Sequence, residues 1–456
     1  MVIAALSMTV PPRFQRHQAM SATPPLPRVS TQLAAAREHL KLGRLREAEQ
    51  AYRQVLVENP ALPEALRFLA NAALSRDQPG EAVELLSRAL ESNRNDPDML
   101  IELGVAYRAG ERPDAARFVL ERAVELGGNK RPSARLLLAN VLEADERHDL
   151  ALLHYFRAII DAQGMGQWLD DDTTEPGIRG LVKYAMGYVA QGRRDLFDRA
   201  LAPLREQAGD TALERVDRAM AIYLREAPLA IADPRQRPTF LYVPSLGTGP
   251  FLDGAMLPWL EESAARIAAL GDQADACAKD GAATAPTAFS LGNLLGESQA
   301  GPASADVPRR IPVYQRGNLS ESAKTHAPRL VAALDDTPLV RIPWHGPDAE
   351  ILRLAAGERL APAYGRTNSR VSVIVVLSDS TEFALEVGGE CMMLRPSQSC
   401  VFDSTFGYAC ANRSDRPARA VMFEVWHPAL APLEQRAIEA VTGAAVEFDS
   451  RLYELP

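Results

Sequence analysis

The chain has 456 residues, 47% of them hydrophobic and 24% charged, values of an ordinary globular protein long enough for about three domains. A net charge of −9 and a pI near 5.5 supply no basic surface for a phosphate backbone, which argues against nucleic acid as a partner. No apolar run reaches the roughly 18 residues of a membrane span. The opening MVIAALSMTV lacks a basic n-region and a cleavage site. The four cysteines (Cys277, Cys391, Cys400, Cys410) form no CxxC pair. These features together point to a soluble, cytoplasmic protein.

Residues 1–28 carry Pro11, Pro12, Pro24, Pro25 and Pro27 among polar residues after the apolar opening. They read as a disordered leader, with Met8 and Met20 as alternative starts to Met1. From 29 to 163 the sequence repeats. Small residues Ala36, Ala70, Gly104 and Ala139 follow one another at 34, 34 and 35 residues. Ala48, Ala82, Ala116 and Ala151 trail them by twelve, and bulky Tyr52, Leu86, Leu120 and Tyr155 come four later. Two helices pack closely only where one side chain is small, and the bulky residue fills the next gap. The period resembles that of tetratricopeptide repeats and predicts about four helical hairpins stacked into a solenoid. Such arrays present a groove for a peptide or protein partner. Residues 164–235 continue at helical spacing, as an extension or cap.

The pattern changes near 236. RPTFLYVPSL reads as a strand and LPWLEESAARIAAL as a helix. Residues 271–310, rich in Ala, Gly, Ser, Asp and Pro, read as a flexible insert. Then come β-type runs (IPVYQ, VSVIVVL, EFALEV, SCVFD, ARAVMFEVW) separated by turns such as Val387-Gly388-Gly389-Glu390. They predict an antiparallel double-sheet jelly roll over 236–445. The whole chain is thus expected to be α + β and multidomain.

Five ordered segments carry a family resemblance: the stretch from Arg237 to Leu246 with Leu257-Pro-Trp-Leu; Leu354-Ala-Ala-Gly with Gly365-Arg-Thr-Asn-Ser-Arg370; Val387-Gly-Gly-Glu390; Val401-Phe-Asp-Ser404; and Val425-Trp-His-Pro428. Together they resemble the aspartyl/asparaginyl β-hydroxylases. The resemblance implies a double-stranded β-helix that uses Fe(II) and 2-oxoglutarate to hydroxylate Asp or Asn side chains of peptides. It also implies two iron-binding histidines and two arginines for the cosubstrate. The corresponding positions here are Ile374 and Tyr408 for the histidines, and Glu386 and Ala418 for the arginines, with Arg419 one residue further on. A family histidine is also missing from Pro362-Ala-Tyr364-Gly365. Isoleucine has no lone pair, a phenol binds Fe(II) poorly unless ionised, and a glutamate repels a dianion. Arg419, one step along a strand, would face the opposite side.

The expectation is therefore a scaffold without metal or cosubstrate, acting in peptide or protein binding. The alternative is an active hydroxylase with relocated ligands; a third reading is other chemistry using Tyr364, Tyr408 and Glu386. Of the remaining histidines, His427 reads as part of a structural turn, His345 as a surface loop residue, and His326 as a helix end. Cys391, Cys400 and Cys410 read as buried strand cysteines. Asp403 with Glu386 or Glu390 is a possible carboxylate pair, and Asp403 is otherwise expected to hold the turn before Tyr408. Arg370 either faces a peptide groove or makes a scaffold ion pair. Ile374 and Tyr408 are expected to lie together inside the barrel mouth.

Overall fold

The computed structural model describes residues 27–247, 249–279 and 310–456. The chain divides into two compact units, one reaching Gly192 and including Ser450–Pro456, the other Arg193–Asp449. The expected leader lies outside the described residues except for its last two, which open the first helix. The division falls within a thirty-residue helix and not near 235.

The first unit begins with eight helices in four hairpins: α1 (Pro27–Lys41), α2 (Leu45–Glu58), α3 (Pro63–Ser75), α4 (Pro79–Ser92), α5 (Pro97–Ala109), α6 (Pro113–Gly127), α7 (Pro132–Ala144) and α8 (His148–Gly164). Proline stands at the start of α3 to α7, where its missing N–H costs nothing. The turns inside the hairpins share one device: Gly43, Asp77, Glu111 and Glu146 all adopt positive φ, at the same 34, 34 and 35 spacing. The extra residue in the last interval is taken up by a short 3-10 turn, Gly128–Lys130, between α6 and α7. The two alanine rows and Tyr52, Leu86, Leu120 and Tyr155 are all buried. At Gly104 a Cβ would come within 2.6 Å of the Leu120 side chain, so the smallest residue sits at the tightest approach.

The helix α9 (Arg179–Ala208) spans the division, and α10 (Glu214–Tyr223) belongs to the second unit. There follow β1 (Phe251–Leu252), α11 (Leu260–Ala268), α12 (Gly271–Lys279), β2 (Arg310–Gln315), β3 (Asn318–Leu319), α13 (Glu321–His326), α14 (Pro328–Asp335), β4 (Ala349–Leu354), β5 (Arg370–Val376), β6 (Phe383–Val387), β7 (Glu390–Leu394), β8 (Ser399–Phe402), β9 (Tyr408–Ala411), β10 (Ala418–Trp426) and α15 (Pro432–Tyr453). All strand pairs are antiparallel. One sheet has the order β1-β8-β5-β10-β4-β2-β3, the other β7-β6-β9. This is the double-sheet architecture expected of a jelly roll.

The larger sheet is covered on both faces. Its inner residues, including Leu352, Ile374, Phe402, Ala420 and Met422, meet Phe383, Leu385, Val387 and Cys410 of the smaller sheet. Its outer residues, including Ile351, Val373, Val401, Val421 and Phe423, pack on α11, α12, α13 and α14. Every residue of β5 is consequently buried, which explains its apolar run Val373–Val376. A third core joins α10, Leu241–Leu246 and α15.

Two expectations change. The segment at 237–246 is not a strand: Leu241 makes one bridge to Thr367, and the Asn368 amide takes the place of a neighbouring strand, accepting from Val243 N–H at 2.7 Å and donating to its carbonyl at 2.8 Å. The start of the expected insert, 271–279, is helical, because Ala274 and Cys277 three residues apart fall on one buried face. Residues 280–309 lie outside the described residues.

Candidate functional site in the β domain

Ile374 lies mid-way along β5, opposite Cys400 and Met422, and is fully buried in the layer between the sheets. Tyr408 opens β9 and belongs to the same layer, its ring 5.3 Å from that of Phe402. Both residues thus line one apolar interior. Burial, the largest influence, pushes the Tyr408 phenol well above its ordinary pKa, so it stays protonated.

One charged pair reaches the Tyr408 end of this layer. Arg310 and Glu350 stand on the inner-facing positions of β2 and β4 and bond to each other at 2.5 Å. The Arg310 guanidinium lies over the Tyr408 ring, 5.6 Å from its centre, and donates to the hydroxyl at 3.3 Å. Neither residue stands out in the sequence by motif. The alternation of β4, with Glu350 in phase with Leu352 and Leu354, is the signal that would have placed it.

The two arginine-equivalent positions differ in orientation. Ala418 is buried on the inner face. Arg419 points the other way, as alternation requires, and pairs with Asp379 at 2.7 Å and Asp275 at 2.5 Å. Glu386 faces outward between inward-facing Leu385 and Val387, and binds Arg359 at 2.6 Å. It therefore does not confront the interior, so the repulsion expected of it has no geometric basis.

Tyr364 is half exposed, with the Arg237 guanidinium 5.5 Å from its ring. Asp403 is buried and caps the short 3-10 turn Ser404–Phe406, accepting from Thr405 N–H at 2.8 Å, from Thr405 Oγ1 at 2.6 Å and from Gln236 Nε2 at 2.8 Å. It forms no carboxylate pair, since Glu386 is held by Arg359 and Glu390 by Arg235 at 3.2 Å.

Arg370 is buried. It donates to the His345 carbonyl at 2.8 Å, to His345 Nδ1 at 2.6 Å and to Glu424 at 3.2 Å. His345 is accordingly not a surface residue: it is 2% exposed and its ring lies 4.6 Å from that of Phe240, tilted by 44°. Two long-range partners draw the loop inward, which no local pattern announces. Burial first, then Arg370, hold its imidazole well below the usual pKa, and Nδ1 is already engaged as an acceptor. His427 Nδ1 accepts from Ala429 N–H at 3.1 Å, and burial followed by Arg215 lowers its pKa to about 4. His326 ends α13. Cys400 and Cys410 are buried, and burial raises both thiols to about 12. Cys391, expected to be buried, is exposed, because β7 presents an open edge with only Leu394 covered.

The residues present do not fit Fe(II) and 2-oxoglutarate. Among the described residues no three His, Cys, Asp or Glu side chains come together as a metal site. At the interior positions isoleucine has no lone pair and a protonated phenol is a poor ligand for Fe(II), and the Arg310 charge is already matched by Glu350.

The model for Aspartyl/Asparaginyl beta-hydroxylase matches residues 295–428, and tetratricopeptide repeat models match 33–99 and 73–141. No curated protein matches the chain. Among solved structures, the Cupin_2 domain of an XRE family transcriptional regulator from Enterobacter cloacae is 24% identical, covering 18% of this chain and 81% of that one, with a TM-score of 0.16. A crystal structure of MamA protein is 21% identical over 38% of this chain and 94% of that one, with a TM-score of 0.29. The family models thus mark 33–141 as tetratricopeptide repeats and 295–428 as an aspartyl/asparaginyl β-hydroxylase domain.

Proposed function

We propose that this chain is an aspartyl/asparaginyl β-hydroxylase-like protein that has lost its iron and 2-oxoglutarate site and acts in the cytoplasm by binding a peptide or protein. One observation carries the reading: Ile374 and Tyr408 lie in an apolar layer and offer a metal nothing better than a protonated phenol. The repeats supply a groove suited to a protein partner. No helix among the described residues is long and apolar enough to cross a membrane, and the negative net charge disfavours nucleic acid.

The test is anaerobic titration of the full chain with Mn(II), a redox-stable stand-in for Fe(II), and then 2-oxoglutarate, followed by calorimetry. Neither should bind at millimolar cosubstrate. Stoichiometric metal together with tight 2-oxoglutarate would overturn the reading and favour the alternative, an active hydroxylase of peptidyl Asp or Asn, which the family match at 295–428 supports.

A further inference from the structure

The strands β6 and β9 pair so that Val387 lies opposite Tyr408 and Ala384 opposite Ala411. The residues just before β6 and just after β9 therefore meet at the end of the domain away from Tyr408 and the Arg310–Glu350 pair. There the loops before β6, between β7 and β8, and after β9 border a recess of 310 Å³. That volume is at the lower bound of small-molecule sites, about 300 Å³. The loops are braced from within. Buried Asn412 donates to the carbonyls of Ala355 at 2.9 Å and Arg416 at 2.6 Å, and accepts from Ser414 N–H at 3.0 Å. Ser414 Oγ lies 2.9 Å from Thr381 Oγ1, which ties the loop after β9 to the loop before β6. Four charged side chains line the recess: Glu382 from one loop, and Arg413, Asp415 and Arg416 from the other. All four are exposed. Among the described residues none of them forms an ion pair, although two cations and two carboxylates share one recess; Arg413 instead meets Cys391 Sγ at 3.8 Å. A simple anion drawn to the guanidiniums meets the two carboxylates, and a simple cation meets the guanidiniums. A molecule that carries both charges satisfies both, and braced loops lose little freedom in holding it.

We propose that this recess binds a small zwitterion of dipeptide size, its carboxylate held by Arg413 and Arg416 and its ammonium by Glu382 and Asp415. The recess is separate from the apolar layer that holds Ile374 and Tyr408, so its test and the metal titration are independent of each other.

The experiment is calorimetry of the full chain with three probes: alanyl-alanine, its N-acetyl derivative, which lacks the ammonium, and its amide, which lacks the carboxylate. Alanyl-alanine should bind with a dissociation constant of about 1 mM or tighter. Each capped form should bind about tenfold more weakly or worse. Arg416→Gln should weaken alanyl-alanine about tenfold and leave the amide unchanged. Glu382→Gln should weaken it to a similar degree and leave the N-acetyl form unchanged. Both side chains are exposed and outside any ion pair, so the two variants should keep the parent's circular dichroism and melting temperature. No binding of alanyl-alanine at about 10 mM, equal affinity for the capped forms, or an affinity unmoved in both variants would each overturn the proposal. Inorganic phosphate that binds as tightly and displaces alanyl-alanine would overturn it in favour of a plain anion site.

Discussion

Arg370 shows how one side chain can organise a region without taking part in chemistry. It ties His345 to Glu424 across strands far apart in sequence. Truncation leaves a partly covered carboxylate and a buried carbonyl unmatched, a change that costs about 3 kcal/mol or more. Urea unfolding of Arg370→Ala in the full chain should show a loss of that size; a loss under about 1 kcal/mol would mean that the cluster is solvated. His427 makes a second prediction. Its folded pKa of about 4 lies below the unfolded value near 6.5. The unfolded chain therefore binds the extra proton between those limits. The His427 contribution to stability is complete above about pH 6.5 and is lost as pH falls towards 4, at about 1.4 kcal/mol per pH unit. His427→Gln should reduce the pH dependence of the unfolding midpoint over that window; identical slopes in parent and variant would refute the assignment.

At the scale of elements, the repeats depend on small residues at fixed phase. Gly104 already faces Leu120 at a distance that a Cβ would violate. Gly104→Val should destabilise the first unit by about 2 kcal/mol through overpacking, seen as a lower melting temperature; an unchanged value would show that α5 and α6 can part freely. The turn joining β6 and β7 makes a different demand. Gly388 and Gly389 both have positive φ, 56° and 86°, as a two-residue hairpin of this twist requires. Nothing lies within 4 Å of a Cβ at Gly389, so strain alone governs substitution there. Gly389→Val should cost about 1–2 kcal/mol and Gly389→Asn clearly less, measured by urea unfolding; equal costs would point to a packing effect instead.

Across the whole molecule, what the sequence discloses depends on how local the cause is. The solenoid is legible because its constraint recurs: a small residue every 34 or 35 positions is visible without any structure. The strands β5, β6, β8 and β10 are legible from their β-branched and aromatic residues. The strand β7 is not, since Glu390-Cys391-Met392-Met393-Leu394 is mostly exposed and lacks alternation. The burial of His345 and the pairing of Arg310 with Glu350 depend on residues 25 and 40 positions away. Spacing can nominate Ile374 and Tyr408, but only packing shows them inside one apolar layer. The same holds for Glu386, where a one-residue change of register decides whether a charge faces the interior or solvent.

The doubly covered sheet has a consequence for how the protein tolerates change. A strand with one wet face accepts polar residues at every second position, so its tolerance map is striped. The strand β5 has no wet face. A saturation scan scored by folding should therefore give a continuous block of intolerance to charge over Val371–Val376, while the mostly exposed β7 accepts charges at nearly every site but Leu394. Arginine, aspartate or lysine accepted at alternate positions of β5 would show that one of its two covers is dispensable. If the block is continuous, the middle of this sheet can vary only among apolar residues and small polar ones such as the buried Ser372.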